Sequence, residues 1–152
     1  MSKGMVCRLS VFLLFIVLLA GCGNATANAI TIQNSDPRAS LVSQQMTLTP
    51  PAGWSLTGDG RGITDGIFVI TVTTLTGVPA DDTTLRSMNG TFSTGTRNVV
   101  IGRQSETGLA AWFLLNDTLL TSVQMQSRTP VDFTTEHETM LLTVARSVKV
   151  GP

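Results

Sequence analysis

Apolar positions recur with a period of two over most of this chain and with a helical period at only two places. In Leu41–Thr49, Met46 and Leu48 alternate with Thr47 and Thr49, the pattern of a strand with one covered face. Pro50-Pro51-Ala52-Gly53 ends it, because consecutive prolines supply no ladder donors. Trp54 then opens a short strand towards Leu56, and 58–66 (GDGRGITDG) reads as a glycine-rich connection. Ile67–Leu75 (IFVITVTTL) is β-branched and apolar on both faces at its start, which predicts a central strand covered on both sides. Asn98–Arg103 predicts another strand and Ser105–Gly108 a turn. Leu109–Leu115 and Leu119–Ser127 predict a hairpin closed by Asn116-Asp117, two residues that tolerate positive φ. In its second arm Thr121, Val123 and Met125 share one face and Ser122, Gln124 and Gln126 the other. One face is expected dry and the other wet.

The helical period comes first between Pro79 and Gly90. Asp81 or Asp82 can cap a short helix, Leu85, Met88 and Phe92 recur at three and four, and Asn89-Gly90 suits its end. The second and stronger helix is predicted from about Thr135 to Lys149, with Thr135 and Glu138 as a capping box. Phe133, His137, Met140, Leu141, Val144 and Val148 lie on one side, expected to cross the sheet face that carries Val123 and Met125. Arg146 and Lys149 sit where a helix C-terminus favours cations. The expected class is α+β: an antiparallel sheet with a short inserted helix and a C-terminal amphipathic helix.

The first residues follow another logic. Lys3 and Arg8 precede an apolar run, Val11–Ala20, and then small residues, the layout of a secretory signal. The run falls short of the roughly 20 residues of a membrane span. Leu19-Ala20-Gly21-Cys22 closely resembles the lipobox of bacterial lipoproteins. That resemblance implies cleavage before Cys22 and a diacylglyceryl group on its thiol. The alternative is ordinary cleavage after Ala25 or Ala27. Two or three acyl chains anchor stably, at about 0.8 kcal/mol for each buried CH₂. The expected organisation is a signal over 1–21, a lipidated N-terminus and flexible tether over 22–40, and one domain over 41–152. A tether of that length has an end-to-end distance of about 20–25 Å, and a minority reading makes Ala29–Gln33 an edge strand. The address implied is a lipid anchor facing periplasm or exterior. Gly23 after the cysteine mildly favours the outer membrane if there are two.

Composition narrows the chemistry. Ten basic and ten acidic residues give no net charge and no basic stripe, which argues against a nucleic-acid partner. Of the two cysteines, Cys7 lies in the leader and Cys22 would be lipidated, so the mature chain is expected to carry neither a free thiol nor a disulfide. His137 is the single histidine and no HExxH or Cys/His cluster accompanies it, so no metal and no cofactor are expected. It reads as a packed ring at the helix–sheet border; a hydrolase using it is the competing reading, although no G-x-S-x-G elbow is present. Asp59, Arg61 and Asp65 in the glycine-rich loop lack P-loop or EF-hand spacing, leaving a turn or a weak ligand site. Trp112 is expected in the core and Trp54 partly exposed, so Trp54, Asp59 and Arg61 are the candidate ligand contacts.

A strand running into Pro51–Trp54, a central strand, an inserted helix, a hairpin, and a terminal helix ending in Ala145-Arg146-Ser147-Val148 together resemble the PsbP-like α/β/α sandwich of the DcrB type. The likeness covers about 41–149. It implies no shared catalytic residues, and a binding or accessory role by analogy of fold alone. The function expected is therefore a membrane-anchored lipoprotein of the cell envelope acting as a non-catalytic binding or accessory module, with an envelope protein or small ligand as partner. A structural subunit of an envelope complex is the further alternative.

Overall fold

The computed structural model describes residues 28–34 and 45–150, and for 76–79 the backbone alone. The signal, Cys22 and 41–44 lie outside the described residues. Among the described residues ten strands and two helices follow one another: β1 (Ile30–Gln33), β2 (Gln45–Leu48), β3 (Ser55–Leu56), β4 (Gly62–Thr64), β5 (Phe68–Pro79), α1 (Asp82–Arg86), β6 (Thr91–Ser93), β7 (Val99–Ser105), β8 (Gly108–Leu115), β9 (Leu119–Ser127), α2 (Thr135–Ser147) and β10 (Lys149–Val150). The class is α+β, with every strand pair antiparallel.

The strands form two sheets. Seven run in the order β3-β4-β5-β9-β8-β7-β6, and three in the order β1-β2-β10. The predicted hairpin pairs β8 with β9 from Leu115 opposite Leu119 to Gly108 opposite Gln126. Asn116 and Asp117 turn it with φ of 51° and 60°, as the I′ geometry requires. Both edge strands of the large sheet are short, β3 with two residues and β6 with three, which leaves little open ladder for a stray strand.

Helix α2 and the small sheet cover one face of the large sheet. Leu141, Val144 and Ala145 of α2 meet Phe113, Val123 and Met125, and Ile32, Met46 and Leu48 of the small sheet close the same core. Burying one such Leu or Phe side chain stabilises by about 1.5–3 kcal/mol. Thr74 and Thr121, the fully buried hydroxyls here, pair at 3.2 Å, and Thr74 lies 3.6 Å from Met46 Sδ. On the opposite face α1 brings Leu85 against Val100 and Leu120 at one end of the sheet only.

Several expectations change. Residues 30–33 form an edge strand rather than tether, because Ile32 fills the core opposite Met46. The glycine-rich connection contains β4, with Ile63 fully buried against Ile70. Phe92 belongs to β6 and not to the inserted helix, which stops at Arg86. The terminal helix begins at Thr135 as expected, but its cap is Thr134, with His137 and not Glu138 completing the box. It stops at Ser147, and Val148 turns extended (φ −62°, ψ 130°) to feed β10, so Lys149 ends in a strand. β5 is not covered on both sides: Phe68, Ile70 and Val72 are buried while Val69, Thr71 and Thr73 stay half-exposed on the other face.

Candidate functional site

The second face of the large sheet is where the chain departs most from a closed core. Strand register places its side chains in rows across the strands. One row runs Thr71, Gln124, Ala110 and Gly102. A neighbouring row runs Thr73, Ser122, Trp112 and Val100, and the row on the other side runs Val69, Gln126 and Gly108. Beyond Trp112 the face is closed by α1 and by the segment that follows it, whose Met88 packs on the Val100 and Leu120 cluster and whose Asn89 carbonyl lies against Gly102.

Among the described residues none of the side chains in these three rows is ionisable, but cations stand at their margins: Arg103 borders the groove beside Trp112, and Arg86 lies 4.1 Å from the ring centre of Phe92, the partner of Val100. Arg103, on β7, projects to the opposite side, where it donates to the carbonyl of Val131 (3.2 Å) and lies over Phe133 at 5.8 Å. The acidic and basic groups otherwise sit on loops, on the helices or at Lys149. What remains on the platform is hydroxyl, amide and one indole, in strands held from behind by the main core.

Trp112 is partly buried here, packed against the smaller core of Leu85, Val100 and Leu120 rather than in the main core. It falls on the outward parity of β8, since Phe113 and Ala111 take the inward positions with no exposure. Its ring lies over Gly102, whose absent Cβ would sit 3.2 Å from Cζ3 and in collision with the Asn89 carbonyl oxygen. Only glycine admits that approach. A shallow groove of about 520 Å³ opens beside the ring, lined by Met88, Asn89, Arg103, Gln104 and Trp112.

The sequence candidates fall elsewhere. Trp54 is half-buried against the main core. The Asp59 carboxylate closes the β3–β4 turn, accepting from the Thr57 hydroxyl at 2.6 Å and the Arg61 N–H at 3.1 Å. Those two bonds hold its carboxyl below the usual carboxylate range. Arg61 is exposed beside it. The structure therefore gives Trp54 and Asp59 packing and turn roles and does not bring them onto the Trp112 face. Asp65 likewise accepts the N–H groups of Ile67 and Phe68 at 2.8 Å each.

His137 is used locally. Its Nδ1 accepts the Thr134 N–H at 3.1 Å and lies 2.9 Å from the Thr134 hydroxyl, while the ring packs 5.1 Å from Phe68 and 5.8 Å from Phe133. Asp81 caps α1 in the same manner: the Thr84 N–H (2.8 Å) and hydroxyl (2.9 Å) keep its carboxyl below the usual range. Among the described residues no group of three or more His, Cys, Asp or Glu side chains is placed to hold a metal.

A second cleft, of about 370 Å³, lies at the end of the sheet among α1, the β6–β7 loop and the Asn116-Asp117 turn. Its polar groups are engaged in holding those loops together. Asp82 takes Arg86 Nε at 3.1 Å and Asn98 Nδ2 at 3.3 Å. Arg97 donates to the Ala145 carbonyl at 2.9 Å and stacks 4.4 Å from the Phe113 ring centre. Burial lowers the pKa of that guanidinium, and Asp117 partly opposes the shift. Arg146 fixes the same loop from α2, donating to Ser93 Oγ (3.1 Å) and the Thr94 carbonyl (2.7 Å). The cleft is a joint between elements.

Residues such as Thr71, Gln124 and Gly102 were not candidates from sequence. Their signal was the polar half of each alternating strand, which says "wet" without saying "flat, neutral and contiguous". Compared with family models, curated proteins and solved structures, the chain shows no match.

Proposed function

We propose that this chain is a lipid-anchored, non-catalytic binding module of the bacterial cell envelope, working through the Trp112 face of its large sheet. The observation that carries the reading is that face: several strands wide, without an ionisable side chain in its described rows, partly exposed at Thr71, Thr73, Trp112, Gln124 and Gln126, and covered among the described residues by α1 and the Asn89 backbone towards one end. A sheet whose outer face serves only solvation does not need an indole laid over a glycine. The two-sided use of the sheet, core behind and platform in front, suits binding better than turnover, and His137 serves as a helix cap.

The anchor is proposed on Leu19-Ala20-Gly21-Cys22. With β1 beginning at Ile30, the eight residues from Cys22 reach at most about 29 Å even if fully extended. The domain is then held close above the lipid headgroups, on a shorter leash than a tether to residue 40. Among the described residues no helix is long and apolar enough to cross a membrane. Membership of the PsbP-like sandwich family is likewise a proposal; it is supported by the strand entering Pro51–Trp54, the inserted helix and the terminal helix over Ala145–Val148.

Cys22→Ser tests the anchor. We expect the variant to leave the membrane fraction and to lose incorporation of a fatty-acid analogue, while the wild type retains both. Membrane retention of the variant, with or without label, contradicts the lipoprotein assignment.

A further inference from the structure

We infer that the Trp112 face takes a neutral polyhydroxylated ligand, a glycan strand lying across the β-strands with one sugar ring stacked on Trp112. The inference rests on the binding-module reading and names its ligand class. Three features of the face argue for it together.

The first is charge. A ligand whose own charges touched the rows would give up their hydration without meeting a counter-charge, since none of their described side chains is ionisable and Arg103, at the border of the groove, already donates to the Ser105 and Val131 carbonyls. Anionic lipids, nucleic acids and charged peptide segments are disfavoured on that ground, and an uncharged ligand is not. The second is the kind of polar group. Gln126 presents a donor and an acceptor, as do the hydroxyls of Thr71 and Thr73, while Gln124 spends one amide N–H on the buried Ser122 hydroxyl at 3.4 Å and keeps its carbonyl and second N–H. Paired donor–acceptor groups at strand spacing match the vicinal hydroxyls of a sugar, each of which is also donor and acceptor. The third is relief. Ala110, Gly102 and Gly108 keep the neighbouring rows low beside the indole, so a flat ring can descend onto it, and the groove of about 520 Å³ provides the space at its side.

A second copy of this chain fits less well. Sheet-on-sheet packing needs interdigitating apolar side chains, and the open rows offer few beyond Val69 and Trp112. The reach of the anchor adds a reason of place: a domain held within about 29 Å of the headgroups works in the layer where envelope glycans lie.

The test uses the full chain in a detergent without a sugar headgroup, titrated with chitotetraose and with cellotetraose. Trp54→Phe leaves Trp112 as the single indole, so its fluorescence reports the face directly. We expect saturable, submillimolar binding of at least one of the two with a change in Trp112 emission. Trp112→Ala should weaken it about tenfold or more. Gln124→Leu, which keeps the volume and removes the amide, should weaken it several-fold; it guards against misreading a folding defect in Trp112→Ala. Absence of binding by both oligosaccharides at millimolar concentration overturns the inference, as does binding that both variants leave unchanged. Self-association lost in Trp112→Ala overturns it in favour of a second copy. Capture of a charged oligosaccharide or peptide with the same dependence on Trp112 overturns the ligand class and leaves the binding module standing. The anchor is judged separately by Cys22→Ser, so the two claims fail independently.

Discussion

Phe113→Ala is expected to cost about 3–5 kcal/mol of folding stability, the largest loss from any single side chain in the domain. Phe113 is fully buried on the inward face of β8, at the point where the large sheet meets α2. Its ring also supports Arg97, whose guanidinium stacks 4.4 Å from the ring centre while donating to the Ala145 carbonyl near the end of α2. Truncation therefore removes a core ring and leaves a half-buried cation without its stacking partner, so the site cannot collapse cheaply. A domain of this size has about 5–15 kcal/mol in all. Urea or thermal unfolding of the variant beside the wild type checks the value. A loss below about 1 kcal/mol would mean that the helix is not packed where the structure places it.

Gly102→Ala is expected to cost about 1–3 kcal/mol and to disturb the binding face rather than the main core. The new Cβ would collide with the backbone carbonyl of Asn89 and press on the Trp112 ring, 3.2 Å away. The collision is with backbone, which cannot rotate aside, so the Met88–Gly90 segment or the indole must move. We expect the emission of Trp112, isolated in a Trp54→Phe background, to shift with the loss of stability. Unchanged stability and unchanged emission would place the Met88–Gly90 segment away from Gly102. The same change on the far side of the sheet, in a strand packed by α2, would not report on Trp112.

How much of this could be read from the sequence depends on the element. The β8–β9 hairpin was legible to the residue, because the alternation of its arms and the Asn-Asp turn give the same register. The terminal helix was legible in position but not at its ends. Thr134 and Thr135 are both good caps, and the choice fell to the first because His137, not Glu138, reaches back from the third position. β4 and β6 are three residues each, too short to show a period, and β4 is flanked by the glycines that made the whole loop read as a connection. β1 was read as tether because its four residues sit in a small, polar context; Ile32 earns its place only by contacts with β2, distant in sequence.

The site was legible only in part. The wet face of β9 holds at Gln124 and Gln126 but not at Ser122, which is buried, and the runs in β5 and β8 concealed their own outer faces. In β5, Val69 sits between Phe68 and Ile70 and made the run look doubly covered. In β8, Trp112 is flanked by Ala111 and Phe113, and an unbroken apolar run hides which parity points outward. Register across four strands decides that question, and no single strand contains it. Asp59 and Arg61 lie in a charged glycine-rich segment that reads as a turn or a weak ligand site, and Asp59 organises the turn itself.

The central claim is that the Trp112 face is covered by a ligand when the protein is in its envelope, and one labelling experiment addresses it directly. Under the lipoprotein reading the mature chain has no free thiol, so single cysteines can be introduced without background. Gln124→Cys places one in the middle of the face, and Thr143→Cys places one on the exposed side of α2. Maleimide labelling rates are then compared between intact envelopes and the purified full-length protein. The account predicts that Gln124→Cys is labelled several-fold more slowly in the envelope than after purification, and that Thr143→Cys is labelled at the same rate in both. Equal rates at Gln124→Cys in the two settings, or protection found at Thr143→Cys instead, would contradict it.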